Sequence, residues 1–415
     1  MGIDLGGHSP AVLKKVVDAG TQHPSFAQGS EALAALAGLK IAEKQVERLT
    51  KRIGQERIDQ QEEVVREFLD LPLMEKVRSP IAKPPDLAVV EMDGGRLQIL
   101  DRGGSETIVD TEASPRRGHW REDKIGLLMT MNGAASATDP CPEIPESFID
   151  PMRILKLARA IKSGVAATED AVAEPSETAS EDEGGSDSDA EWRPKPLVQT
   201  MVAGRCPWDK FRDVLAQAAW ARGFAAAKRK AFVADGAAVN WSTHKKWFSD
   251  YVAILDFIHA LSSVFAAATA GRPFGEGWPL YVRWISLVWG GQVKVVIGEL
   301  EARASALGLP HKDDPETSPR KVVAEALSYL SNHQARMQYD AYRRDGLPIT
   351  SSHMESTVKR FNRRVKGTEK FWSEEGADAI LKLRADHLSE TEPLEASWKN
   401  RQDTATGRRQ YRRSG

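Results

Sequence analysis

Cysteine is nearly absent from this chain. Its 415 residues hold two, Cys141 and Cys206, far apart and with no CxxC partner. That excludes a disulfide framework or a cysteine-based zinc site within the chain, and it fits a reducing compartment. Clean apolar runs of membrane length are also missing. The two most apolar windows, 251–271 and 279–298, are interrupted by Asp256 and His259 and by Arg283 and Lys294. Charges inside a span are costly in lipid, so both windows are expected to be buried core. The opening MGIDLGGHSP has no apolar signal core, and Gly6 stands where a myristoylation motif wants Ser or Thr. The expected location is cytoplasmic. A basic excess is lacking too: Lys plus Arg is 57, Asp plus Glu is 59, and the formal charge is −2. Taken whole, that balance disfavours a nucleic-acid partner.

The balance is a product of segregation. Residues 163–192 hold ten acidic residues, no Lys or Arg, and only Trp192 at their end as a large apolar group. Such a stretch cannot bury enough surface to offset its ordering entropy, and it is expected to be a disordered acidic insertion. Without it the other 385 residues carry +8. Nucleic acid is then a natural partner for the rest of the chain.

Residues 30–69 carry apolar positions at helical spacing, broken at Gly38-Leu39. The second helix would start near Ile41 with no side-chain cap. The pair makes either a helix-turn-helix or, more plainly, a helical hairpin packed on the core. Prolines mark a boundary at 79–87. Residues 87–100 read as two strands split at Gly94-Gly95, and 124–131 as a third, suggesting an antiparallel meander. After the acidic stretch come a helix (207–229), a strand (230–236), a helix (239–248) and a strand-like run (251–257). A mainly helical block then extends to about 345. A turn at 345–352 leads into a basic helix from Met354 to about Val365, then a helix over 373–390 and a basic tail. Apart from two insertions, that is the element order of a ribonuclease-H-like domain.

Asp93 ends the first strand and Asp235 the fourth, each followed by glycine. Either one alone reads as a turn residue. Glu355 alone reads as the acid of a capping box, Ser352-His353-Met354-Glu355. Together they read differently, because the ends of the first and fourth strands are neighbours in a ribonuclease-H-like sheet. A carboxylate from a later helix can complete the cluster. Three hard oxygen donors suit Mg²⁺ or Mn²⁺, whereas zinc would call for His or Cys ligands. Two such ions would support in-line phosphoryl transfer on DNA.

Several blocks, in order, resemble the ISKra-type bacterial insertion-sequence transposases, which are related to Mutator-like transposases. They are SFAQGSEALAALAGLKIAEKQVERLTKRIG (25–54), VVEMDGGRLQI (89–99), FVADGAAVNW (232–241), ILDFIHA (254–260) and the long block GLPITSSHMESTVKRFNRRVKGTEKFWSEEGADAILKLRADHLS (346–389). The resemblance implies that Asp93, Asp235 and Glu355 are the metal-binding catalytic triad, holding two Mg²⁺ or Mn²⁺ ions. It makes Asp256 and His259 the Asp-x-x-His signature. It implies a mixed α/β, ribonuclease-H-like catalytic domain with an all-helical insertion before the catalytic Glu and an N-terminal helical segment.

The expected division is as follows. Residues 1–80 are N-terminal helices with helix-turn-helix potential, and 86–138 are the first part of the catalytic domain. An insertion fills 139–204, and 205–261 are the second part. The helical insertion spans 262–345, the glutamate helix and its successor 346–390, and a basic disordered tail 391–415.

Lys359, Arg360, Arg363, Arg364 and Lys366 follow Glu355 closely and are expected to meet the phosphate backbone. Trp278, Trp284 and Trp289 are expected to be core, with base stacking the alternative. The implied function is transposition: cleavage at terminal inverted repeats and strand transfer into target DNA. An oligomer on double-stranded DNA in the bacterial nucleoid would carry it out. The alternative is a non-catalytic, truncated or domesticated DNA-binding derivative.

Overall fold

The computed structural model describes residues 8–100, 118–161, 192–367 and 370–404. The acidic insertion expected at 163–192 lies outside the described residues except for Trp192, as do residues 405–415 of the tail.

The chain is mixed α/β, built on one five-stranded mixed sheet. Its strands are β1 (Leu87–Leu100), β2 (Gly118–Asn132), β3 (Lys195–Gly204), β4 (Arg229–Ala234) and β5 (Val252–Leu255), in the order β3-β2-β1-β4-β5. β1 pairs antiparallel with β2 and parallel with β4; β2–β3 is antiparallel and β4–β5 parallel. The unbroken run Leu87-Ala88-Val89-Val90 is fully buried because this central strand is covered on both faces. Leu87 and Val89 pack into one core, Ala88 and Val90 into the other.

Two expectations about strands need correction. Residues 87–100 are one strand, since pairing with β2 continues from Asp93–Ile125 through to Leu100–Gly118. Gly94-Gly95 is therefore no break. A Cβ on Gly95 would stand 2.9 Å from both Asp123 carboxylate oxygens, so glycine there makes room for a buried acid on the next strand. The third antiparallel strand is β3, which lies within the 139–204 stretch assigned to an insertion. β3 is an edge strand, and its early residues are only half-buried, which left it without a clear apolar alternation.

Before the sheet come α1 (Pro10–Gln22), α2 (Phe26–Ala37), α3 (Glu43–Asp70) and the single turn α4 (Leu73–Lys76). Ser9 and Ser25 cap the first two by accepting the N–H groups of Val12 and Gln28. The break at Gly38 is real: it takes the left-handed conformation, φ 66°, that ends α2. α3 starts without a side-chain cap, as its sequence implied.

Between β2 and β3 lies α5 (Pro151–Ile161), and after β3 comes α6 (Trp208–Ala221). α7 (Ala238–Trp247) joins β4 to β5. The helical block is α8 (Phe257–Thr269), α9 (Phe274–Trp289), α10 (Val293–Leu307), α11 (Pro319–His333) and α12 (Tyr339–Arg344). Trp284 and Trp289 are core, as expected, and their indole N–H groups donate to Glu299 and to the Cys141 carbonyl. Trp278 is partly buried and stacks on Phe274.

Finally come α13 (Ser352–Val365), α14 (Glu374–Leu388) and α15 (Pro393–Thr404). α15 corrects the expectation of disorder from 391 onward. Leu394 and Trp398 anchor it in a cluster with Leu13, Leu49, Ile53 and Leu383. The N-terminal helices are thus packed against the C-terminal ones. Among the described residues no helix is long and apolar enough to cross a membrane.

Candidate active site

The carboxylates singled out above come from separate elements, and Asp93, expected to end the first strand, lies in the middle of β1. Asp93 is on β1, and the period of two puts it on the same face as Glu91. Asp235 directly follows β4, and its Oδ1 accepts the Ala237 N–H at 2.8 Å and the Asn240 side-chain amide at 2.7 Å. Asp256 directly follows β5 and is fully buried. Its N–H donates to the Ala234 carbonyl, which ties the ends of β4 and β5 together.

Asp256 then serves two helices. It caps α8, its Oδ2 accepting the His259 N–H at 3.3 Å and lying 2.6 Å from His259 Nδ1. Its Oδ1 accepts the Ser351 N–H at 2.9 Å. Beside this contact Phe257 N–H donates to the Ile349 carbonyl at 2.9 Å. The turn that leads into α13 is therefore fastened to the end of β5, and Glu355 rides in the first turn of α13.

The capping-box reading of Glu355 is not realised. Ser352 is the first residue of the helix, and the preceding Ser351 makes no side-chain cap. Glu355 is thus one position too late to close a box with the cap residue.

The charges act on one another. Burial raises the pKa of Asp93, and the charge of Asp235 raises it further. Burial raises that of Glu355 too, helped by Asp256 and Asp93 and opposed by Lys359 and His259. For His259, burial works toward a lower pKa. The hydrogen bond and charge of Asp256, with Asp235 and Asp93, overcome it and bring the imidazole to about 9. His259 is therefore a cation among carboxylates at neutral pH. Among the described residues no group of three or more His, Cys, Asp or Glu side chains is poised to hold a metal ion.

Several residues of this neighbourhood escaped sequence reasoning. Glu91 is fully buried, and its Oε2 accepts the Met354 N–H at 3.1 Å. Burial, then Asp256, holds its carboxyl well above the usual range. The available signal was an acid inside the apolar run VVEM, two residues before Asp93. Asp123 is buried opposite Gly95 and adds to the repulsion on Asp93. Tyr329 and His333 of α11 press on Gly236, where a Cβ would fall 2.2 Å from the tyrosine ring. Nothing in their local sequence points to Asp235.

The basic set divides. Lys359, Arg360 and Arg363 are exposed on α13, and Lys366 is half-buried and faces the charge of Asp123. Arg364 is a correction: it is buried, its Nε and Nη1 donating to the carbonyls of Gly20 and Pro24. Its guanidinium lies over Phe26 and Trp372. It joins α13 to the turn between α1 and α2 and is not available to a phosphate backbone. Two residues of α14 lie beside these arginines without adding to the exposed set, Arg384 being itself buried. Arg384 donates to the Arg360 carbonyl at 2.8 Å, and its pKa is lowered by burial and by Arg360 and Arg363. That of His387 is lowered by burial and by Arg384 and Arg360.

No protein-family model matches this chain, and no curated protein matches it.

Proposed function

We propose that this protein is a DNA transposase of the Asp-Asp-Glu kind, similar to the ISKra-type enzymes, acting through Asp93, Asp235 and Glu355. One observation carries the reading. Asp93 on β1 feels the charge of Asp235 at the end of β4, and Glu355 in the first turn of α13 feels that of Asp93, although 262 residues separate Asp93 from Glu355. The strand order β3-β2-β1-β4-β5, with three antiparallel strands and two parallel additions, supports a ribonuclease-H-like catalytic domain. The helices from α8 to α12, between the second Asp and the Glu, fit the helical insertion.

The donor chemistry fits hard divalent cations, since the triad offers oxygen only. Asp93, Asp235 and Glu355 would hold Mg²⁺ or Mn²⁺, which would supply an activated attacking oxygen and stabilise the leaving one. Asp256 and His259 do not ligate in this reading. Asp256 fixes the turn before Glu355, and the His259 imidazolium offsets carboxylate repulsion while the site is unfilled. Lys359, Arg360 and Arg363, exposed on α13, form the cationic ground for the phosphate backbone. The protein would work on double-stranded DNA as a homo-oligomer in the bacterial cytoplasm.

The test is cleavage of labelled duplex DNA bearing the sequences that flank the gene, with Mg²⁺, Mn²⁺ or EDTA. Metal-dependent 3′-hydroxyl ends at the repeat boundary are expected. Tight binding of these ends with no cleavage under either metal would instead favour a non-catalytic DNA-binding derivative.

A further inference from the structure

The first turn of α13 has no cap of its own, yet its backbone N–H groups are not abandoned. Ser351 N–H reaches Asp256 Oδ1 at 2.9 Å, and Met354 N–H reaches Glu91 Oε2 at 3.1 Å. These acceptors come from 95 and 263 residues away in the chain. One stands just after β5 and the other on β1, two residues before Asp93. Both carboxylates are fully buried, so neither can swing off into solvent. Acidic groups at a helix start are favoured by the partial positive charge there. The Met354 N–H is shared between Glu91 Oε2 and the Ser351 carbonyl, 2.9 Å away, so Glu91 adds a tie to the sheet on top of the local turn.

We propose that Glu91 is a positioning residue which, with Asp256, clamps the first turn of α13 to the sheet and so fixes Glu355 relative to Asp93. The clamp gives a reason for an acid at the end of the fully buried run Leu87–Val90 of β1. A residue of β1 that holds the glutamate helix shares a rigid strand with the first aspartate. Any shift of one is transmitted to the other. Glu91 does its work through Met354 and Glu355 and need not touch DNA or metal.

This inference rests on the metal reading given above for its functional half, but not for its structural half. Three forms of the full-length protein test it: wild type, Glu91→Gln, which keeps a capping oxygen, and Glu91→Met, which keeps the bulk and loses the oxygen. Hydrogen exchange reads the clamp without metal. The amides of Met354 and Glu355 are expected to exchange at least tenfold faster in Glu91→Met, with α14 unchanged, and to stay within threefold of wild type in Glu91→Gln.

Mn²⁺ binding, followed by electron paramagnetic resonance without DNA, reads the consequence. It is expected to weaken at least tenfold in Glu91→Met and to be rescued in Glu91→Gln. Undisturbed exchange in Glu91→Met overturns the clamp. Equal Mn²⁺ affinity in wild type and Glu91→Met overturns its role in positioning Glu355. A Glu91→Gln protein that binds Mn²⁺ tenfold more weakly with normal amide protection makes Glu91 a ligand and overturns the proposal, and this variant decides the matter even where Glu91→Met does not fold. A wild type that binds no Mn²⁺, with exchange as expected, sinks the metal reading and leaves the clamp standing.

Discussion

His259 Nδ1 sits 2.6 Å from Asp256 Oδ2, within a single helical turn that also holds the buried end of β5. The partnership makes stability depend on pH in a particular window. The folded pKa of about 9 lies above the ordinary 6.5, so the fold favours the charged imidazole. Its contribution is complete below pH 6.5 and is lost as pH rises through 9. The expected loss is on the order of 2 kcal/mol once solvent screening is allowed for. Urea unfolding of the metal-free protein at pH 6 and pH 9.5 checks it. His259→Gln should remove that part of the decline, and a decline of the same size in the variant would refute the assignment.

Glu355→Gln separates the two uses of α13. The substitution keeps the side chain's size and leaves Lys359, Arg360 and Arg363 in place. DNA affinity is expected to hold within about threefold, while metal-dependent cleavage falls by at least about 100-fold, the loss typical when a metal's surroundings are disturbed. Gel-shift and cleavage assays on the same preparation measure both. Cleavage at the wild-type rate would remove Glu355 from the triad.

Arg364 and its neighbours Arg360 and Arg363 should behave in opposite ways although all three are helix arginines. Arg364→Ala strips two carbonyls of their donor and empties the space between Phe26 and Trp372. It is expected to cost about 3 kcal/mol of stability and to leave the salt dependence of DNA binding alone. Arg360→Ala and Arg363→Ala should cost little stability. Each should flatten the slope of log K against log salt by about 0.9 if it meets one phosphate. A changed slope for Arg364→Ala would overturn the division.

The contrast also marks how far the sequence could be read. Helical spacing placed 360 and 364 on one stripe, but not which stripe faced α1, because Gly20 and Pro24 lie more than 300 residues away in the chain. The apolar runs at 87–90, 124–131, 230–236 and 251–257 identified four of the five strands, because each packs its side chains into the core. β3, an edge strand whose first six residues are exposed or half-buried, carries no such signature. Gly94-Gly95 looked like punctuation because glycine usually is; here it answers to the bulk of Asp123 on a neighbouring strand. Asp235 and Glu355 stood out by their place at element ends, and Asp93 by the glycine pair that follows it. Glu91, Tyr329 and His333 are placed by tertiary contacts that local pattern does not encode.

Gly236 tests how the helical block bears on Asp235. Its φ is not unusual, so the need for glycine is steric: a Cβ would stand 2.2 Å from the Tyr329 ring and 3.0 Å from His333 Nε2. Gly236→Ala must push α11 away from the loop that carries Asp235, at about 1–3 kcal/mol, the usual cost of overpacking. Shrinking the ring should return part of that loss. In a double-mutant cycle Gly236→Ala with Tyr329→Ala is expected to be less destabilised than the sum of the singles by at least about 0.5 kcal/mol. Additive losses would mean that Tyr329 does not bear on the Asp235 loop, and that the helical block meets the site elsewhere.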